Sequence, residues 1–256
     1  MTDSTPSKRS FAVGTLPAIL SCLAIVALWK AASAASASAL ILPSPEAVFL
    51  EFARLATGRA FYAALGATAL RGLAALALSL AIGGGLGFLA GLLPAARSAL
   101  KPVLSAIRST PVLALILLLL IWFPQDAVPV VSAVLMAFPV FLSAVLEGIG
   151  AADRELMEMA SVFRMRRRDV LRAIRLPALA PFLVSGLSGA LSLIWKVVVA
   201  GEVLSLPRRC IGNSLHDAKI YLDTTEAFAW ALAAILLCAA TDAVFAIALR
   251  RMRRGA

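Results

Sequence analysis

The chain has 256 residues, 61% of them hydrophobic, and a formal net charge of +10. Its mean hydropathy is +0.94, and its apolar share lies well above the roughly 45–50% of an ordinary soluble domain. The basic residues stand between apolar runs, so they read as membrane-topology signals and not as a nucleic-acid surface; the length admits one bundle of spans but no separate soluble enzyme domain.

The first apolar run is Phe11 to Trp29, behind a polar head with Lys8 and Arg9. A cleaved signal peptide is the alternative, because the Ala/Ser stretch from Ala31 to Ala39 resembles a cleavage site. A retained span is preferred, since the run exceeds the usual signal core. A long connection follows, opened by Leu42-Pro43-Ser44-Pro45, with an amphipathic surface helix expected over Glu46 to Ala56. The second run is about Gly72 to Leu93. Gly83, Gly87 and Gly91 recur every four residues in it and so share one helix face, either as a close-approach surface or as general small-residue packing. The third run is about Pro111 to Phe123, with a helix beginning near Val103 and kinked at Pro111. The fourth, fifth and sixth are about Val128 to Leu146, Ala178 to Ala200 and Ala227 to Leu249. With the N-terminus inside, sixteen Lys and Arg residues fall in inner segments, seven in outer ones, and Lys196 inside a span. The excess of inner positive charge predicts six spans with both termini cytoplasmic. The expectation is an all-α, polytopic membrane helix bundle. Residues 1–10 form a cytoplasmic tail, 11–250 a single transmembrane domain, and 251–256 a basic cytoplasmic tail.

The inner connection from about residue 151 to 176 is long, charged and helix-like. Leu156, Met159, Ala160 and Phe163 follow helical spacing, and so do Val170, Leu171 and Ile174. An amphipathic helix at a membrane face docks onto something: a protein groove or the lipid surface. Glu155 and Glu158 orient it or meet basic groups of a partner, or pair locally with Arg154 and its neighbours. No metal site or disulfide framework follows from Cys22, Cys210 and Cys238, nor from the single histidine, His216. No catalytic cluster of residues is evident, which argues against a membrane enzyme.

This segment resembles the cytoplasmic coupling motif of binding-protein-dependent ABC transporter permeases. Glu158 and Ala160 match the motif's opening; Ile174, Leu176 and Pro177 match its close, and Pro181 matches a further proline. Arg164 stands where the family has a turn glycine, so the turn is expected to be more helical or the docking surface altered. Further stretches are similar to the subfamily that imports taurine, sulfonates, nitrate and bicarbonate. These are Leu42-Pro43-Ser44-Pro45, Thr68-Ala-Leu70-Arg71, Arg108-Ser-Thr-Pro111 with Ile121-Trp122-Phe123, Phe138-Pro139-Val140, Glu147-Gly148, and Trp195 with Ala200-Gly201-Glu202 and Ile211-Gly212. Pro124 replaces a family glycine. The similarity runs in order over about residues 40 to 250.

The resemblance implies a type I ABC importer permease fold in the inner membrane of a prokaryote. It also implies a second permease copy, most simply in a homodimer, a cytoplasmic ATPase holding ATP and Mg, and an extracytoplasmic binding protein. No cofactor is expected in this chain, which lacks a GxxxxGK[ST] phosphate loop. In the resemblance Glu155, Leu156, Glu158, Met159, Ala160, Phe163, Arg164, Ile174, Leu176 and Pro177 couple to the ATPase. Pro177 and Pro181 are expected to start the fifth span. Pathway candidates are Ser192, Trp195, Lys196 and Glu202. Lys196 stands as the one ionisable residue inside a span, beside the route of an anion or snorkelling to the interface. Trp195 is a pathway residue or an interfacial anchor, and Glu202 sits at the outer mouth or pairs with Arg208. A channel or scaffold without ATP coupling, or an importer of a heterocycle such as a thiamine precursor, are the alternatives.

Overall fold

The structure, a computed structural model, describes residues 9–36, 38 and 40–254. Lys8 and the tail before it, residues 37 and 39 of the Ala/Ser stretch, and residues 255–256 at the end of the basic tail lie outside the described residues. In chain order the helices are α1 (Arg9–Ala35), α2 (Pro45–Leu55), α3 (Arg59–Leu92), α4 (Pro94–Ser109), α5 (Val112–Trp122), α6 (Val128–Gly150), α7 (Arg154–Val162), α8 (Arg167–Val170), a π turn (Leu171–Arg175), α9 (Leu176–Ser205), α10 (Ile211–Ile220) and α11 (Thr224–Arg254). Among the described residues there is no strand. The expected surface helix is α2, started by the Ser44 hydroxyl, which accepts from the Ala47 amide, and by Pro45 in the first turn.

Among the described residues, four helical segments are long and apolar enough to cross a bilayer: Arg59–Leu92, Val128–Gly150, Arg167–Ser205 and Thr224–Ala248. Within α1, Ile19–Ala35 is apolar but shorter. The third expected run needs correction. It is not one helix kinked at Pro111: α4 and α5 are separate and meet at 102°. Thr110 is extended, at φ −76° and ψ 125°. The ring of Pro111 forces that conformation on the residue before it, and the missing N–H leaves the helix ladder broken there. The second run is also longer than expected. α3 begins at Arg59 and has 34 residues, about 51 Å at 1.5 Å per residue, against a hydrocarbon core of roughly 30 Å. Pro124 does not disturb its turn: its carbonyl accepts from the Ala127 and Val128 amides at 2.9 and 3.3 Å, leading straight into α6.

The core forms where α6 lies between α3 and α9. In lipid there is no hydrophobic drive between helices, so small residues that bring backbones together decide the packing. The glycine face of α3 meets α6 of the same chain. A Cβ on Gly83 would lie 2.7 Å from the Phe138 carbonyl oxygen, and one on Gly87 would lie 2.8 Å from Val145 Cβ. Gly91 packs on Ile149. On the other side of α6, Gly148 meets Leu179 and Phe182, Gly186 meets Ala144, and Gly201 lies against Pro129. At the end remote from α7, α2, α10 and the first turns of α3 and α11 share a second cluster around Phe61, Ile211 and Trp230. Phe61 stands edge-on to Phe52, with ring centroids 5.6 Å apart, and is tilted against Trp230 at 5.3 Å.

The glycine contacts set a direct test. Gly83→Ala pushes a methyl group into the α6 backbone, at an overpacking cost of about 1–3 kcal/mol, and the protein should melt at a lower temperature in detergent. Gly85→Ala is the control, because a Cβ there has nothing within 4 Å; equal melting of the two variants would contradict the packing described.

Candidate functional site

The first candidate region is the charged connection after α6. Asp153 caps α7, its carboxylate accepting from the Glu155 amide at 2.8 Å. The helix closes in a turn at Arg164, whose φ is 51°. The Met165 amide donates to the Ala160 carbonyl at 2.9 Å and the Arg164 amide to Ser161 at 3.1 Å. Arg164 thus takes the left-handed conformation suited to glycine, at a cost of about 1 kcal/mol. The expected extra helicity is absent: the turn survives the substitution.

Leu156, Met159, Val162 and Phe163 are 43%, 44%, 77% and 74% exposed, whereas Ala160 is 4% exposed. Ala160 therefore leaves the expected docking face and turns onto its own chain, and Val162, which the sequence reading passed over, joins that face. Ile174 is likewise buried, while Leu176 is exposed. Between α7 and the end of α3 runs a cleft of about 770 Å³ lined by Leu89, Leu92, Met157 and Met165. Glu158 accepts from Arg154 at 2.8 Å in an exposed pair, worth little. Glu155 is exposed. Pro177 stands in the first turn of α9, as expected, whereas Pro181 lies inside the helix; the π turn joins α9 to α8, so Arg167–Ser205 runs as one helical segment. Pro177 has no N–H for the carbonyl four residues before it, and its ring crowds that carbonyl; the π turn at Leu171–Arg175 is where the helix widens.

The second region lies at the opposite end and centres on Glu202, which is fully buried. Its Oε2 accepts from Thr68 Oγ1 at 2.9 Å and from the Gly212 amide at 3.1 Å; its Oε1 accepts from an Arg71 guanidinium nitrogen at 3.1 Å. Arg71 also donates to Asp126 at 2.8 Å. Thr68 Oγ1 accepts from the Ile211 amide at 3.1 Å. Glu202 therefore pairs with Arg71 and not with Arg208, and it lines no surface. Three stretches set out separately in the sequence, Thr68 to Arg71, Ala200 to Glu202 and Ile211-Gly212, form one network. Cys210 completes it. Its buried sulfur accepts from the Asn213 amide at 3.3 Å and caps α10. Burial pushes the thiol up to about 12, so it stays protonated near neutral pH and donates to the Pro207 carbonyl at 3.2 Å.

The remaining pathway candidates divide. Ser192 and Lys196 are exposed on one face of α9, with Ser185 and Ser188 further along it. Lys196 lies nine residues before the helix end at Ser205, about 14 Å along the axis. Trp195 is neither at an interface nor on that face: it is 1% exposed and its ring packs on Gly72. Lys196 is also not alone. Asp242 lies inside the Thr224–Ala248 span. An acidic residue within an apolar run was the signal for it. Among the described residues, no group of three or more His, Cys, Asp and Glu side chains is placed to hold a metal ion.

Removing one member of the buried pair leaves an uncompensated charge, which costs about 3–5 kcal/mol. Glu202→Ala and Arg71→Ala should each lower the melting temperature markedly, and the double variant should lose less than the two single losses together. Simple additivity would show that the pair does not act as a unit.

A sequence profile described as binding-protein-dependent transport system inner membrane component matches residues 83–254. The taurine transport system permease protein TauC of Escherichia coli is 27% identical over 252 residues, 96% of this chain and 88% of that one. The riboflavin transport system permease protein RibX of Chloroflexus aurantiacus is 32% identical over 156 residues, 60% of this chain and 57% of that one. Among solved structures, a chain of an amino acid ABC transporter crystallised with histidines superposes with a TM-score of 0.62 at 17% identity, covering 77% of this chain and 94% of that one. This likeness concerns the fold.

Proposed function

Because the chain belongs to the family of binding-protein-dependent transport system inner membrane components, we propose that it is the translocating permease subunit of an ATP-driven importer for a small anionic solute. The observation that carries the coupling half of this reading is the exposed apolar face of α7. Leu156, Met159, Val162 and Phe163 lie uncovered beside seven arginines, in the segment that resembles the family's coupling motif. ATP and Mg belong to that cytoplasmic partner. Its closure on ATP pushes α7; the movement passes through α8 and the π turn into α9, and the bundle rocks against a second copy of the chain. A binding protein delivers the solute at the end carrying α2 and α10. The chain is a multi-pass protein of the inner membrane, and the excess of arginine at the α7 end supports both termini being cytoplasmic. Residues 11–250 act as one permease domain.

The anionic substrate class rests on the similarity to the taurine permease over nearly the whole chain and on the exposed Ser192 and Lys196 face of α9. A heterocyclic solute is the second reading, supported by the similarity to the riboflavin permease. ATPase coupling and substrate class are tested separately. Met159→Asp with Phe163→Asp puts two charges on the docking face. The copurifying ATPase should be lost in a pull-down while the chain's own melting temperature is kept; undiminished retention rejects α7 as the docking element. Lys196→Met should slow uptake of a radiolabelled sulfonate by about tenfold with the complex intact, the loss of one charge-assisted contact. Uptake at the wild-type rate would remove Lys196 from the pathway.

A further inference from the structure

α4 carries Arg97, Lys101, Ser105 and Arg108, spaced by four, four and three residues, which places all four on one helix face. The break at Thr110-Pro111 ends α4 there and turns α5 away by 102°, so this face lies against α6 over Ser143 and Glu147 without continuing across the bundle. Between the two helices is a pocket of about 560 Å³ lined by Arg97, Lys101, Ser105, Arg108, Ser143 and Glu147. Leu104 of α4 anchors its floor by packing on Phe138 and Leu142.

The charges in this pocket do not balance: three cations face one carboxylate. Arg108 is held in place, donating to the Pro139 carbonyl at 3.0 Å and to the Ser143 hydroxyl. Arg97 and Lys101 are in no ion pair among the described residues, and neither is Glu147. A guanidinium already oriented, two further cations on the same helix face and serine hydroxyls beside them make the donor set that recognises a tetrahedral oxyanion. A surface excess of arginine needs only scattered charge to satisfy topology; it does not require a concave site with one cation preoriented by a backbone carbonyl.

We propose that this pocket between α4 and α6 binds the oxyanion of a phosphate or sulfonate group at the arginine-rich end of the bundle. Two sources share that chemistry: the headgroup of an anionic phospholipid, which basic pockets at the cytoplasmic side of helix bundles accommodate, and a free anion in the aqueous phase. The site does not rest on coupling to an ATPase, so its failure and the failure of the importer reading are distinguishable.

The experiment uses the purified full chain, stripped of lipid in detergent. Inorganic sulfate is titrated by calorimetry against a chloride control of equal ionic strength, and phosphatidylglycerol and phosphatidylcholine are compared by native mass spectrometry. The wild type should bind sulfate or phosphatidylglycerol. Arg97→Gln with Lys101→Gln, at two exposed and unpaired positions, should weaken that binding about tenfold or more. Lys101→Glu alone, a second variant that leaves α4 packing untouched, should do the same. Sulfate binding that phosphatidylglycerol does not displace assigns the pocket to a free anion. Phosphatidylglycerol binding that displaces sulfate and exceeds phosphatidylcholine assigns it to a lipid headgroup. Binding of neither probe, equal binding of the two lipids without sulfate binding, or unchanged affinity in both variants overturns the proposal.

Discussion

A carboxylate with no exposed surface inside a membrane protein stands only if its charge and lone pairs are met, and Glu202 meets this condition with partners from two other helices. Thr68 and Arg71 come from α3; the Gly212 amide comes from the first turn of α10. A free helix N-terminus has amides to donate and a partial positive charge, so α10 is seated on the carboxylate without a cationic side chain of its own. The approach is close: a Cβ on Gly212 would lie 2.6 Å from the Val203 amide nitrogen. This one anion fixes the register of α3 against α9 and holds the α9–α10 connection in place.

The other end of the same helix carries the charged connection. From Arg167 to Ser205 the chain forms one segment of 39 residues, about 58 Å long, with a π turn where Pro177 withholds its donor. One rod therefore links the exposed apolar face of α7 to the buried network around Glu202. Along its length α9 packs on α6 through Gly148, Gly186 and Gly201, contacts in which backbone lies close to side chain. Such packing has little room to deform and favours movement of whole helices over local bending.

Several features were legible in the sequence because they are local. The apolar runs mark the helices, Ser44-Pro45 starts α2, and the four-residue glycine spacing in α3 marks a close-packing face. Others were not, because their cause is a contact between distant residues. The partner of Gly83, Gly87 and Gly91 is α6, about 55 residues further on. Trp195, expected on the pathway or as an interfacial anchor, is buried, with Gly72 leaving room for its ring. Ala160 and Val162 exchange roles because packing on the rest of the chain, and not helical spacing alone, decides which side of α7 is covered.

The sequence by itself determined that this is a helical membrane protein, which of its connections carries the positive charge, and which family its motifs resemble. Those properties follow from hydropathy, charge and short-range spacing, each contained in a window of residues. Only the tertiary structure decided that Glu202 joins Thr68, Arg71 and Gly212, that α4 and α5 part at 102°, and that the cations of α4 enclose a pocket with α6. The physical reason is the same in each case: the free energy of a buried charge, a proline break or a cationic cleft depends on what the fold brings within a few ångströms, and a linear pattern does not contain that distance.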